Sequence, residues 1–158
     1  MNYLYRSFCE MVKEKYPQMK VVVSPATGHE VERNAAFCDF WNAILENSGV
    51  DILMPQDSIG TGLSRISQLS GQWQAWKSVA DAQKMKLWSH TEIFELRGYR
   101  PDDNLYPASA ERVAVQLALT EPFVERHCCW EALSFTTDEW GEAGRSLRMF
   151  LKNLKIKK

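Results

Sequence analysis

Asp57, His90 and Glu92 are the residues of this chain whose types and spacing could do chemistry, and all three lie at the polar ends of short apolar runs. Cleavage of a glycosidic bond needs two carboxyl groups facing it: an acid for the leaving oxygen, and a nucleophile or base opposite. Glu92 is the candidate nucleophile or acid, and Asp57 the assisting carboxylate. His90 precedes Glu92 by two positions, so strand alternation puts both side chains on one face, where they could pair or hold a polar ligand. Ser24, Gln56 and Gln116 are candidate polar contacts, the two amides as donors to sugar hydroxyls.

Most of these residues also have a plainer reading. Asp57-Ser58-Ile59-Gly60 is good turn chemistry, so Asp57 could cap the loop that follows. A lone strand histidine is often a satisfied structural residue. For Glu92, burial beside Trp88 and Phe94 is costly unless the carboxylate is paired, which favours a functional position. Six tryptophans are many for 158 residues. Trp41, Trp73, Trp76 and Trp140 fall on helical stripes, as core residues do. Trp88 and Trp130 lie in strands near polar ends, where an aromatic face could stack on a pyranose ring or pack in the core. His29-Glu30 could extend the same rim, with an exposed loop as the better alternative.

The elements that must position these groups follow from periodicity. Four apolar runs end in polar residues: Val21 to Pro25, Asp51 to Asp57, Lys86 to Glu92, and Cys128 to Ser134. The strands predicted within them are Met19 to Val23, Val50 to Met54, Leu87 to Ile93 and Cys128 to Phe135. Helical stripes lie around and between them: Leu4, Phe8, Met11 and Val12; then Phe37, Trp41, Ile44 and Leu45; then Leu63, Ile66, Leu69, Trp73 and Trp76. Ala110, Val113 and Leu117 mark a fourth helix, and Trp140, Leu147 and Phe150 a last one. Gly71 weakens the third helix by about 1 kcal/mol relative to Ala, which leaves room for a kink or a ligand-side adjustment there. Arg97 to Pro107 reads as a long polar loop. Strand starts about 30 to 40 residues apart match the period of a βα unit, and the right-handed crossover rule makes the strands parallel. A whole barrel needs about 250 residues and eight such units. The expected fold is therefore α/β: one domain over residues 1–158, a partial TIM barrel of four units with catalytic groups at the C-terminal strand ends.

Composition is that of an ordinary globular chain, with 45% hydrophobic and 25% charged residues. A net charge of −1 gives no long-range pull toward nucleic acid or anionic lipid. The basic tail from Lys152 to Lys158 reads as a solvated end. No apolar run approaches the length of a membrane span, and the first residues do not form a signal peptide. A complete chain would then be cytoplasmic. Cys9, Cys38, Cys128 and Cys129 lack Cys-x-x-Cys spacing and read as reduced, buried thiols. No metal or cofactor is expected, since the dinucleotide, Walker, His-Glu-x-x-His and Gly-x-Ser-x-Gly patterns are all missing.

Three segments carry a resemblance. Val-Val-Val-Ser-Pro-Ala (21–26), Asp-Ile-Leu-Met-Pro-Gln-Asp-Ser-Ile-Gly (51–60) and Leu-Trp-Ser-His-Thr-Glu-Ile-Phe-Glu (87–95) resemble the later strands of a bacterial glycosyl hydrolase-like TIM-barrel family. That family is catalogued as a domain of unknown function (four-four-three-four). The likeness runs from about residue 2 to 137. It implies the C-terminal half of a barrel and a saccharide ligand, with Gln56, Asp57 and Glu92 lining the pocket. It also implies a chain incomplete as an independent catalyst, because the earlier strands, one of which carries a further acidic residue, are missing. The alternative is a non-catalytic carbohydrate-binding or structural half-barrel. Four strands with two open edges imply either a homodimer or a missing N-terminal half.

Overall fold

The structure, a computed structural model, describes residues 1–26, 35–97 and 105–154. Helix α1 (Asn2–Lys15) leads to strand β1 (Val22–Val23), helix α2 (Ala35–Leu45) and strand β2 (Ile52–Leu53). A 3-10 turn at Ile66–Gln68 precedes α3 (Leu69–Ala82), which returns the chain to β3 (Lys86–Glu92). A hairpin of β4 (Phe94–Leu96) and β5 (Leu105–Pro107) follows. Then come α4 (Ala110–Thr120), β6 (Arg126–Trp130), α5 (Ala132–Phe135) and α6 (Gly141–Asn153). Strands β1, β2, β3 and β6 lie side by side in that order, and each pairing is parallel. Parallel neighbours taken in sequence and joined by helices are βα units. The partial (β/α) fold expected from the four runs is present.

Strands β1 and β2 are short because prolines follow them, at Pro25 and Pro55, and proline has no N–H for a ladder. Pairing nevertheless continues past them. Gln56 N–H donates to Pro25 O at 3.0 Å, His90 N–H to Pro55 O at 3.1 Å, and Asp57 N–H to His90 O at 3.1 Å. These bonds carry the strand ends, and their polar side chains, to a common level.

Register assigns the two faces of the sheet. Val23, Leu53 and Leu87 pack with Leu45 of α2 and with Trp73, Trp76 and Val79 of α3. The alternate residues Val22, Trp88 and His90, with Arg126, Cys128 and Trp130 from the paired register, take the opposite, inner face. That face is thinly covered: Val22 is 41% and Trp130 47% exposed. A second cluster, Ile93, Phe94, Ala108, Val113, Leu117, Phe135 and Leu147, is built around α4 and α6.

Three expectations need correction. The fourth strand ends at Trp130 rather than Phe135, because Ala132–Phe135 forms a helical turn that turns both of its end residues into the second cluster. The loop from Arg97 to Pro107 ends in a strand, β5, which closes an antiparallel ribbon outside the main sheet; residues 98–104 lie outside the described residues. Helix α3 begins at Leu69 rather than Leu63, and it runs through Gly71 without interruption into Ala82, with open space where a Cβ would stand. Trp73 and Trp76 are core residues as expected, and Trp41 and Trp140 pack at the edges of the two clusters. No helix among the described residues is long and apolar enough to cross a membrane.

Candidate functional site

The strand ends bring Ser24, Gln56, His90 and Trp130 to one rim of the inner face. Ser24 Oγ and His90 Nδ1 are hydrogen-bonded at 2.8 Å, joining β1 to β3 across β2. Gln56 forms a parallel bridge with His90, and its Nε2 donates to Ser24 O at 3.5 Å. The Trp130 ring meets His90 edge-on at 6.0 Å and Phe94 at 5.7 Å. Burial lowers the His90 pKa from its ordinary value, so the imidazole is neutral at pH 7. The rim thus offers a hydroxyl, an amide, a neutral imidazole and an open indole face, the mixture of donors and stacking surface that suits a polyhydroxylated ring. Trp88 lies lower on the same face, half-buried, with the Arg126 guanidinium 5.3 Å above its ring.

The two carboxylates are buried at the same end of the sheet, Glu92 level with Trp130 in the β3–β6 register and two residues beyond His90. Glu92 is 3% exposed and Asp57 1%. The loop after β2 folds over the end of β3, anchored where Leu96 N–H donates to Gly60 O at 2.8 Å. Glu92 Oε2 accepts from Thr61 N–H at 2.9 Å and contacts Thr61 Oγ1 at 3.4 Å. Burial pushes the Glu92 pKa up, while the Thr61 and Gly60 donors and the charge of Arg112 pull against it. Gly60 admits this approach because it has no side chain: a Cβ there would stand 2.4 Å from Phe94 O and 3.1 Å from Glu92 Oε2.

Asp57 faces into the protein. Its Oδ1 accepts from the N–H groups of Ile59 and Glu92, both at 3.2 Å, and its Oδ2 accepts from Gln116 Nε2 at 2.6 Å. The Ile59 bond closes the turn that Asp-Ser-Ile-Gly chemistry suggests. Burial raises its pKa to about 7, helped by the charge of Glu92 and opposed by these donors. Gln116 is fully buried on α4 and holds Asp57, so it is not at the rim. Beside it Arg112 Nη2 donates to Phe94 O at 2.5 Å and to Glu92 O at 3.3 Å.

The structure therefore gathers Ser24, Gln56, His90 and Trp130, buries Glu92 level with Trp130 at the strand end and Asp57 toward α4, and puts Gln116 behind Asp57. His29 and Glu30 lie outside the described residues. Sequence reasoning passed over Thr61 and Arg112. A signal existed for each: Gly60-Thr61-Gly62, too short a glycine pattern for phosphate, still frees backbone donors for a carboxylate, and Arg112 with Gln116 is a polar i, i+4 pair beside the buried Val113, Leu117 and Thr120. No three His, Cys, Asp or Glu side chains among the described residues gather as a metal site. On the helix side of the sheet a groove of about 1120 Å³ lies between α4 and α6, lined by Leu117, Val124, Phe150 and Leu151 with Glu121 and His127. His127 there bridges Ser89 Oγ at 2.7 Å and Glu121 Oε2 at 2.8 Å, on the opposite face from His90.

A family model described as a domain of unknown function (DUF4434) matches residues 2–139. No curated protein matches the sequence. Among solved structures, one described as a "putative alpha-L-fucosidase" from Bacteroides thetaiotaomicron superposes with a TM-score of 0.77 at 18% identity. The superposition covers 99% of this chain and 50% of that one, so the chain spans half the length of the structure it matches. At that identity the likeness concerns the fold alone.

Proposed function

The chain belongs to the DUF4434 family, and from that membership and the rim geometry we propose that it is a saccharide-binding (β/α) half-barrel of the glycoside hydrolase type. The observation that carries this reading is the convergence of Ser24, Gln56, His90 and Trp130 across four adjacent strand ends on one face. Trp130 supplies the stacking surface, and Ser24, Gln56 and His90 supply the polar contacts. Trp88 forms the floor of the same face. Glu92 is the carboxyl of the reacting centre: burial favours its protonated form, the state a general acid needs. Asp57 assists by fixing the Glu92 backbone and the turn above it, and Gln116 supports Asp57 from behind.

Glycosidic hydrolysis takes a second carboxyl across the bond from the first. Both oxygens of Asp57 are already engaged by donors of the protein. The chain by itself is therefore read as binding a sugar ahead of turning it over. Titration calorimetry against a panel of monosaccharides and oligosaccharides, L-fucose included, tests this, alongside hydrolysis of the matching aryl glycosides. At least one sugar is expected to bind in about the millimolar range. Trp130→Ala is expected to weaken that binding at least about tenfold, the loss of one stacking contact. Glu92→Gln is expected to keep binding and remove any turnover. A panel with no binder, or binding indifferent to both Trp130→Ala and His90→Ala, overturns the reading.

A further inference from the structure

A parallel sheet ordinarily has both faces covered, and its edge strands are shielded or closed into a barrel. Here the inner face leaves Val22 and Trp130 exposed, and among the described residues β1 pairs only with β2, and β6 only with β3. Exposed apolar side chains flank both open edges. On α1, which precedes β1, Leu4, Phe8 and Met11 are exposed one step round the helix from Tyr5, Cys9 and Val12, which face the core. On α6, which follows β6, Met149 is exposed as well.

We propose that a second copy of this chain covers this face. The two copies are related by a two-fold axis parallel to the strands, so that β6 of each lies beside β1 of the other. One operator then pairs both open edges, keeps all strands parallel and apposes the two inner faces. Four strands from each copy make eight, the number at which side chains just fill a closed barrel. The apolar face of α1 then meets α6 of the partner at each seam, where both elements expose side chains. The rim gains as well: Ser24 and Trp130, at its two ends, would each neighbour the other copy's rim, completing the mouth.

This inference stands without the saccharide reading, because it rests on edges and apolar faces alone. Light scattering with sedimentation velocity, across a wide concentration range, is expected to give twice the chain mass. Phe8 is half exposed, and Phe8→Glu is expected to raise the dissociation constant at least about tenfold, as the loss of a central apolar contact does. Val22→Glu is expected to do the same from the inner face, with Met11→Lys as a second surface variant should Val22→Glu fail to fold. Hydrogen exchange is expected to show the β1 and β6 edge amides protected in the wild type and released in Phe8→Glu. A monomer at every concentration, an assembly of more than two chains, or a dimer unaffected by the surface substitutions overturns the proposal.

Discussion

At the start of β2, Asp51 accepts from Lys13 at 2.5 Å, from Lys20 at 2.9 Å and from Val21 N–H at 2.9 Å. At the far end, Asp57 accepts only from two backbone amides and the Gln116 amide. Partial burial alone would raise the Asp51 pKa, but the lysines and the backbone donor overcome it and bring the carboxyl to about 2. Burial without ammonium partners takes Asp57 to about 7. One strand thus carries a charge held firmly at its base and a carboxyl kept near its titration point at its mouth. In (β/α) architectures the base serves stability and the mouth serves ligands. The same division is seen here within six residues.

The glycines at the two ends break the comparison most sharply. Gly60→Ala drives a Cβ into the Phe94 carbonyl and the Glu92 side chain, and is expected to cost about 3 kcal/mol or more in urea denaturation, because backbone cannot yield. Gly49→Ala, at the base, has a φ of +79° and meets Cys9 Cβ at 2.9 Å. Its expected cost is about 1 to 3 kcal/mol, from the left-handed backbone and from a Cys9 Cβ that moves only with α1, and less than at the mouth because the overlap is smaller than that with the Phe94 carbonyl.

The carboxylates sharpen the comparison through pH. The folded-state pKa of Asp57 lies above its unfolded value, so the folded chain binds the extra proton and stability falls as pH rises from about 4 to 7. The full effect is about 4 kcal/mol at most. Asp57→Asn is expected to flatten that slope, with Gln116 able to turn its unpartnered Oε1 toward the new amide. Asp51 has the opposite sign. Its stabilisation is present above the unfolded pKa of 3.8 and lost as pH falls toward 2. Asp51→Asn is expected to cost about 1 to 2 kcal/mol at pH 7 and only a small fraction of that at pH 2, where the folded-state carboxyl is half protonated. Thermal melts of wild type and both variants from pH 2 to 8 give all four comparisons, and an Asp57→Asn variant with an unchanged slope would remove the buried proton from the account.

Much of the site was legible locally. His90 and Glu92 share a strand, and alternation alone gives them a common face. Ser24 and Gln56 were found because each stands where its apolar run gives way to polar residues. What was not legible is depth. Asp57 looks alike in sequence whether it points to solvent or into the protein, and its burial depends on Gln116, 59 residues away. The fourth strand was overextended because Cys-Cys-Trp-Glu-Ala-Leu-Ser has no periodicity to separate a strand from a helical turn.

By itself the sequence determined the alternation of strands and helices, their parallel sense and the polar ends, because valine runs, prolines and helical stripes act within a few residues. Only the tertiary structure decided how each of those polar groups is held and how deeply it is buried. The loop carrying Gly60 and Thr61 closes over Glu92, and α4 reaches Asp57 from behind. Both contacts join segments distant in the chain, so a local pattern marks the partners without saying which of them meet.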